Sequence, residues 1–137
     1  MNVDELLARA RAKLRRLHPH EAIEALSGGA VLVDIRAESQ RRRDGLIPDA
    51  VVVSRNVLEW RRDPDSPWCE ERLCGCRGPL ILVCDEGYQS SLAAVSLHEL
   101  GRKDATDLIG GFRGWRAQGL PVEGPSRTPG HALDAVR

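Results

Sequence analysis

Residues 80–94 read Leu-Ile-Leu-Val-Cys-Asp-Glu-Gly-Tyr-Gln-Ser-Ser-Leu-Ala-Ala, and the rest of the fold can be worked out from them. The first four residues are apolar and two are β-branched, which is typical of a strand buried on both faces. Small and apolar residues follow Ser90 at helical spacing as far as Gly101, which predicts a helix. Cys84 therefore lies between a strand and a helix N-terminus, where converging backbone N–H groups stabilise an anion. Such a position favours a thiolate, so we predict that Cys84 is a nucleophile.

Strands and helices alternate on either side of this stretch. Short apolar runs at 31–36, 51–53 and 105–109 predict further strands, and the segments between them predict helices or helical turns. This pattern is typical of an α/β domain with a small, mostly parallel central sheet and helices on both faces. In such sheets ligands bind beyond the C-terminal ends of the strands. Three features fall at those ends, namely Cys84, Arg36 and the pair Gly110–Gly111.

The chain divides into an N-terminal amphipathic helix extension (1–17), a domain (18–123) and a flexible C-terminal tail (124–137). The extension predicts one helix over 3–17, with leucines on one face and arginines around the rest. We favour a helix laid on the domain with its arginines in solvent over a membrane-surface or partner-binding helix. The run 41–43, which is three arginines, is likewise interpreted as a solvated face rather than an anion-attracting cluster.

The composition of the chain limits which binding partners and which cellular compartment we expect. The 137 residues include 20 basic and 20 acidic side chains, which cancel, so no net field favours nucleic acid or an anionic membrane. No window approaches the ~20 apolar residues of a membrane span. The N-terminus is acidic and lacks the apolar core of a signal peptide. We therefore expect a cytoplasmic protein whose four cysteines are thiols rather than disulfides.

Three further cysteines precede the central strand, in the pattern Cys-x4-Cys-x-Cys at Cys69, Cys74 and Cys76. A structural zinc site usually shows paired Cys-x2-Cys spacing, which this pattern lacks. Ordinary thiols are the favoured interpretation, with a metal site or a resolving thiol that joins Cys84 as alternatives. Packing in the core or at its rim is predicted for the three tryptophans, Trp60, Trp68 and Trp115.

Four motifs, in order and over roughly residues 19–122, resemble those of the rhodanese-like (sulfurtransferase) domain family. Residues 28–36 are similar to its first strand with the ending Asp-x-Arg, and 45–50 to its Gly-His-Ile-Pro-Gly-Ala element. Residues 84–90 look like its active-site loop, and 110–115 resemble its closing Gly-Gly-x-x-x-Trp motif. The chain departs from the family at five positions, which are Leu46, Asp49, Asp85, Glu86 and Gln89.

The resemblance implies a single-domain sulfurtransferase in which Cys84 carries sulfane sulfur as a persulfide. It implies a loop that cradles the sulfur, formed by Asp85, Glu86, Gly87, Tyr88, Gln89 and Ser90, with support from Asp34, Arg36 and Ser91. In this interpretation Arg36 anchors the loop and Asp34 holds local backbone. No metal and no cofactor are implied. The expected partners are a small sulfur donor or a persulfidated protein, and a thiol or protein acceptor.

The sequence leaves two other functions as alternatives to this one. Cys84 through Gln89 makes six residues, the shorter loop that the family associates with sulfur, so a phosphatase or arsenate reductase is disfavoured. The stronger rival is a catalytically weak or inactive rhodanese-like module that binds or regulates a protein, which the acidic loop would suit. We expect the side chains of Asp85 and Glu86 to face solvent, their amides to face inward, and their charges to repel small anionic donors such as thiosulfate. Asn and Gln at these two positions should then raise thiosulfate turnover.

Overall fold

The computed structural model describes residues 1–124. Within them lie four parallel strands in the order β2-β1-β3-β4: β1 (Val31–Asp34), β2 (Val51–Val52), β3 (Leu80–Val83) and β4 (Thr106–Asp107). The helices in this part of the chain are α1 (Val3–Arg11), α2 (Pro19–Ser27), α3 (Glu38–Asp44), α4 (Leu58–Arg62), α5 (Glu71–Cys74), α6 (Gln89–Glu99) and α7 (Gly111–Ala117). A 3₁₀ turn at Arg55–Val57 precedes α4. The predicted α/β class is confirmed, whereas the predicted tail lies, apart from Gly124, outside the described residues.

Strand β3 is the centre of the core because both of its faces are covered. All four of its residues are fully buried. Leu80 and Leu82 pack into a cluster with α4, α5 and α6, while Ile81 and Val83 pack into a second cluster with α2 and α7. This alternation follows from the two-residue period of a strand, and it places helices on both faces of the sheet.

The N-terminal helix is shorter than predicted. Helix α1 ends at Arg11 and is followed by a turn in which the Leu14 amide donates to the Arg11 carbonyl. Leu17 instead joins the free edge of β4, where its amide donates to Asp107 O (3.1 Å) and its carbonyl accepts from the Ile109 amide (2.8 Å). The helix over 3–17 was therefore wrong beyond Arg11, because backbone hydrogen bonds at the sheet edge replace those of a continued helix. No described helix has the length and apolar character needed to cross a membrane.

Four predictions of packing need correction. The apolar run 51–53, which predicts a buried strand, is not buried throughout, because β2 is an edge strand and Val52 is 45 % exposed. Trp60 and Trp68 lie mostly in solvent, whereas Trp115 is buried as predicted. The arginine run 41–43 is not all solvated, since Arg41 is buried and its guanidinium donates to the Arg36 carbonyl.

The expectation of four thiols is wrong for one pair. Cys69 and Cys74 are joined in a disulfide, because the chain turns through α5 and brings their Cα atoms to 6.3 Å. Cys76 and Cys84 are thiols. Within residues 1–124, no three His, Cys, Asp or Glu side chains are grouped so as to hold a metal ion.

Candidate active site

Cys84 lies at the C-terminal end of the central strand, directly before the loop that leads into α6. Its side chain is 7 % exposed. It lies at the base of a mouth of about 240 Å³, whose other lining residues include Arg36, Gln40, Asp85, Tyr88 and Gln89. Cys84 therefore lines a small opening, while the strand behind it is buried in the core.

The Cys84 sulfur is surrounded by hydrogen-bonding groups from its own loop. The amides of Gly87 and Ser90 donate to Sγ at 3.1 Å and 3.3 Å. The Ser90 hydroxyl lies 3.2 Å from Sγ. Ser90 belongs to the first turn of α6, so the positive end of the helix dipole also faces the sulfur. Two amide donors and a helix N-terminus stabilise negative charge on the sulfur.

The loop keeps this shape because the carbonyls of Cys84 and Asp85 are bound by helix α7. The Phe112 amide donates to Cys84 O at 2.8 Å, and the Arg113 amide donates to Asp85 O at 3.1 Å. These amides belong to the first turn of α7, which would otherwise lack acceptors. Gly87 completes the turn in a left-handed conformation (φ 92°) and packs against Gly110. The active-site loop (84–90) is thus held in place by the glycine pair Gly110–Gly111 of the closing motif.

The two acidic residues of the loop differ in their surroundings. Glu86 is exposed, as expected. The Asp85 side chain is only 16 % exposed, and its Oδ2 accepts from Arg113 Nε at 2.9 Å. The hydrogen bond that Arg113 donates to Asp85 raises the pKa of Arg113. The expectation of two solvent-facing acids is therefore wrong for Asp85, which Arg113 turns onto α7.

The buried pair Asp34–Arg36 flanks the site from the neighbouring strand, and Arg36 lines the same opening as Cys84, but the hydrogen bonds of the pair do not go to the loop. Arg36 Nη2 donates to Asp34 Oδ2 at 2.8 Å and to Gly45 O at 2.8 Å. Its guanidinium carbon lies 3.8 Å from the ring centre of Phe112. Asp34 Oδ1 accepts from the Arg36 amide at 3.0 Å. The role of Arg36 as anchor of the loop was thus wrong, because its Nε and Nη2 donate to Asp34 and Gly45 and its buried Nη1 has no hydrogen-bond partner.

Asp107 is a site residue that the sequence analysis missed. It is fully buried, and its Oδ2 accepts from the hydroxyls of Ser90 (2.7 Å) and Ser91 (2.8 Å). Ser90 is thereby linked to Asp107 on one side and to Cys84 on the other. A charged residue inside the predicted strand 105–109, at the sheet edge that carries Cys84, was a signal that could have found it.

Comparison with known proteins agrees with this geometry. The sequence profile of the rhodanese-like domain matches residues 18–118. The chain belongs to this family. Thiosulfate sulfurtransferase GlpE of Haemophilus influenzae is 28 % identical over 109 residues, which cover 80 % of this chain and 94 % of the relative. Thiosulfate sulfurtransferase GlpE of Pseudomonas savastanoi pv. phaseolicola is 32 % identical over 108 residues, which cover 77 % of this chain and 90 % of the relative. One similar solved structure is that of a Rhodopseudomonas palustris protein of unknown function, described as a possible tyrosine phosphatase. It is 31 % identical with a TM-score of 0.82, and the match covers 90 % of this chain and 95 % of that chain.

The rhodanese-like domain receives two side chains from outside the matched region. Arg11 Nη2 donates to Gly87 O at 2.7 Å, and Arg16 Nη2 donates to the same oxygen at 3.1 Å. Arg11 also lies over the half-exposed ring of Tyr88, at 5.5 Å from its centre. The interpretation of the N-terminal arginines as solvated is therefore wrong for these two. No pattern in the sequence could have found them, since 76 and 71 residues separate them from Gly87.

Proposed function

We propose that this protein is a sulfurtransferase that carries sulfane sulfur as a persulfide on Cys84. The observation that carries the proposal is the position of the Cys84 sulfur, which receives two loop amides at the N-terminus of α6. The relatives named thiosulfate sulfurtransferase GlpE support the same reaction class. The helix terminus contributes about 0.3–2 kcal/mol to the stability of an anion held there.

Two displacements at sulfur make up the proposed reaction. The Cys84 thiolate attacks the outer sulfur of thiosulfate, a new S–S bond forms, the S–S bond of the donor breaks, and sulfite leaves with the electron pair. An acceptor thiolate then attacks the outer sulfur of the persulfide, and Cys84 leaves as a thiolate. A persulfidated protein can serve as donor and a protein thiol as acceptor. The reaction suits a reducing compartment such as the cytoplasm, and it needs neither nucleic acid nor membrane.

A phosphatase is the second candidate, since the similar Rhodopseudomonas palustris protein is described as a possible tyrosine phosphatase. A cysteine phosphatase needs an arginine that closes on the phosphate, and loop residues 85–90 contain none. Arg11 and Arg16 reach the loop, but both donate to Gly87 O rather than toward the sulfur. We therefore favour sulfur transfer over phosphate transfer.

The proposal is tested by the intact mass of the protein. Incubation with thiosulfate, and separately with polysulfide, is expected to add one sulfur atom to Cys84. Cys76→Ser is the matched control, because Cys76 is the other thiol of the chain and lies away from the mouth. That variant should accept sulfur like the unaltered protein, and Cys84→Ser should accept none. Hydrolysis of p-nitrophenyl phosphate, measured in parallel, tests the phosphatase.

Three results would change the assignment. No adduct from either donor would overturn the proposal and favour the catalytically inactive binding module. Cys84-dependent phosphate release without an adduct would favour the phosphatase. An adduct that survives in Cys84→Ser would place the sulfur on another residue.

Glu86 is expected to weaken the use of anionic donors. Its carboxylate is exposed beside the mouth, and a charge ~7 Å away in water-like dielectric opposes a unit charge by about 0.6 kcal/mol. Glu86→Gln should therefore raise kcat/KM for thiosulfate about threefold or more, and the gain should shrink at high salt. Glu99→Gln is the control, because it removes the same charge at the far end of α6. Equal effects of the two substitutions would contradict a local role for Glu86.

A further inference from the structure

Residues 1–17 precede the region that matches the family profile, yet they reach the reactive loop. Arg11 bridges two groups of the loop and helix, since Nη2 donates to Gly87 O (2.7 Å) and Nε donates to Ser91 Oγ (3.1 Å). Arg16 bridges the same Gly87 O (3.1 Å) and the carboxylate of Asp107 (2.8 Å). The two guanidinium groups thus converge on one carbonyl at the tip of the loop.

Holding this carbonyl fixes the peptide that follows it. In a planar trans peptide the carbonyl of one residue and the amide N–H of the next point in opposite directions. With Gly87 O bound by Arg11 and Arg16, the Tyr88 N–H is turned away from both arginines. Gly87 has no side chain to limit rotation of this peptide, so the loop depends on outside contacts to stay in one orientation. The arginine pair supplies these contacts.

Arg16 also acts on Cys84 by a second route. Its ion pair with Asp107 is largely removed from solvent, with side-chain exposures of 16 % and 0 %. The ionised carboxylate has no proton to give, so Ser90 donates its single hydroxyl proton to Asp107 (2.7 Å). This directs the lone pairs of Ser90 Oγ toward the Cys84 thiol at 3.2 Å. The chain Arg16–Asp107–Ser90 therefore fixes the residue whose amide also donates to the sulfur.

We propose that Arg11 and Arg16 are positioning residues for the Cys84 loop. They hold Gly87 and Ser90 so that the loop amides face the sulfur that is transferred. The inference rests on the proposed sulfurtransferase function and adds to it a contribution from outside the family match. It assigns the N-terminal segment a role in sulfur transfer rather than in contacts with a membrane or another protein.

The test compares two double variants that remove the same charge. Arg11→Gln with Arg16→Gln loses the contacts to Gly87, whereas Arg9→Gln with Arg15→Gln removes two exposed arginines of the same segment. The first should form the Cys84 persulfide about tenfold more slowly at saturating thiosulfate, since hydrogen bonds to charged groups are lost. The second should stay within about twofold. Rates are compared at a temperature at which circular dichroism shows every variant folded.

Two further measurements separate positioning from charge and from general stability. Arg11→Lys with Arg16→Lys keeps both charges but cannot bridge two acceptors with one planar group, so its maximal rate should remain reduced with an unchanged half-saturating thiosulfate concentration. Hydrogen exchange of the amides of residues 85–90 should rise in the double-Gln variant and not in the control. Full recovery by lysine, or equal exchange in both double-Gln variants, would overturn the positioning role.

Failure of the proposed function gives a different result. In that case the unaltered protein would take up no sulfur at Cys84 from any donor. Hydrogen exchange of the loop would still decide whether Arg11 and Arg16 hold it, because that measurement needs no substrate. An adduct in the unaltered protein together with equal rates in the two double-Gln variants would refute the positioning role alone.

Discussion

Gly111→Ala is expected to impair sulfur transfer more than any other substitution outside the loop itself. A Cβ at Gly111 would lie 2.5 Å from Cys84 O and 2.7 Å from Asp85 O, so the backbone of the reactive loop has to move. Gly111 is also left-handed (φ 59°). Displacement of a reactive group by about 1 Å can cost about a hundredfold in rate. We expect persulfide formation to fall to that extent, together with a loss of about 2–5 kcal/mol in the free energy of unfolding.

Gly119→Ala separates the clash from the backbone strain. Gly119 has a similar left-handed conformation (φ 74°), but nothing lies within 4 Å of the Cβ position. It should lose about 1–2 kcal/mol of stability, from conformation alone, with an unchanged rate of persulfide formation. Urea unfolding and the rate of sulfur uptake measure the two effects. A Gly111→Ala variant that transfers sulfur as fast as Gly119→Ala would show that the glycine pair does not position Cys84.

The sequence predicted the fold from features that act locally. Four consecutive apolar residues before Cys84, two of them β-branched, are typical of a strand covered on both faces, and β3 has that structure over 80–83. The helix after Ser90 and the left-handed glycine that ends it at Gly101 follow from periodicity and capping in the same way. These elements were predictable because neighbouring residues alone determine them.

The candidate site was predictable only where one segment forms it. The loop 85–90 and the amides of Gly87 and Ser90 that face the sulfur follow from the strand–cysteine–helix order. The partners of that loop do not, since Arg11, Arg16 and Asp107 reach it from segments far away along the chain. An amphipathic pattern shows that Arg11 avoids the apolar face, but it cannot show which distant carbonyl the side chain binds. The same limit explains why Arg36 was assigned to the wrong acceptor.

Asp34→Asn is expected to give the largest loss of stability among substitutions of charged residues. Both side chains of the pair Asp34–Arg36 are fully buried. Removal of the carboxylate charge leaves a guanidinium group in the core with only neutral acceptors, which are the amide oxygen of the new side chain and Gly45 O. Breaking a buried pair in this way costs about 3–5 kcal/mol, because the remaining charge is uncompensated. Urea unfolding followed by circular dichroism should show a lower midpoint with an unchanged slope.

An exposed pair of the same charges provides the control for this effect. Glu38→Gln breaks the pair Glu38–Arg42, whose side chains are 38 % and 51 % exposed, and should change stability by about 0.5 kcal/mol or less. The double substitution Asp34→Leu with Arg36→Met should recover much of the loss, since it removes both buried charges together. Because the hydrogen bonds of the pair do not go to the loop, folded Asp34→Asn protein should still accept sulfur at Cys84. A folded variant without that ability would instead give the Asp-x-Arg motif a direct part in the chemistry.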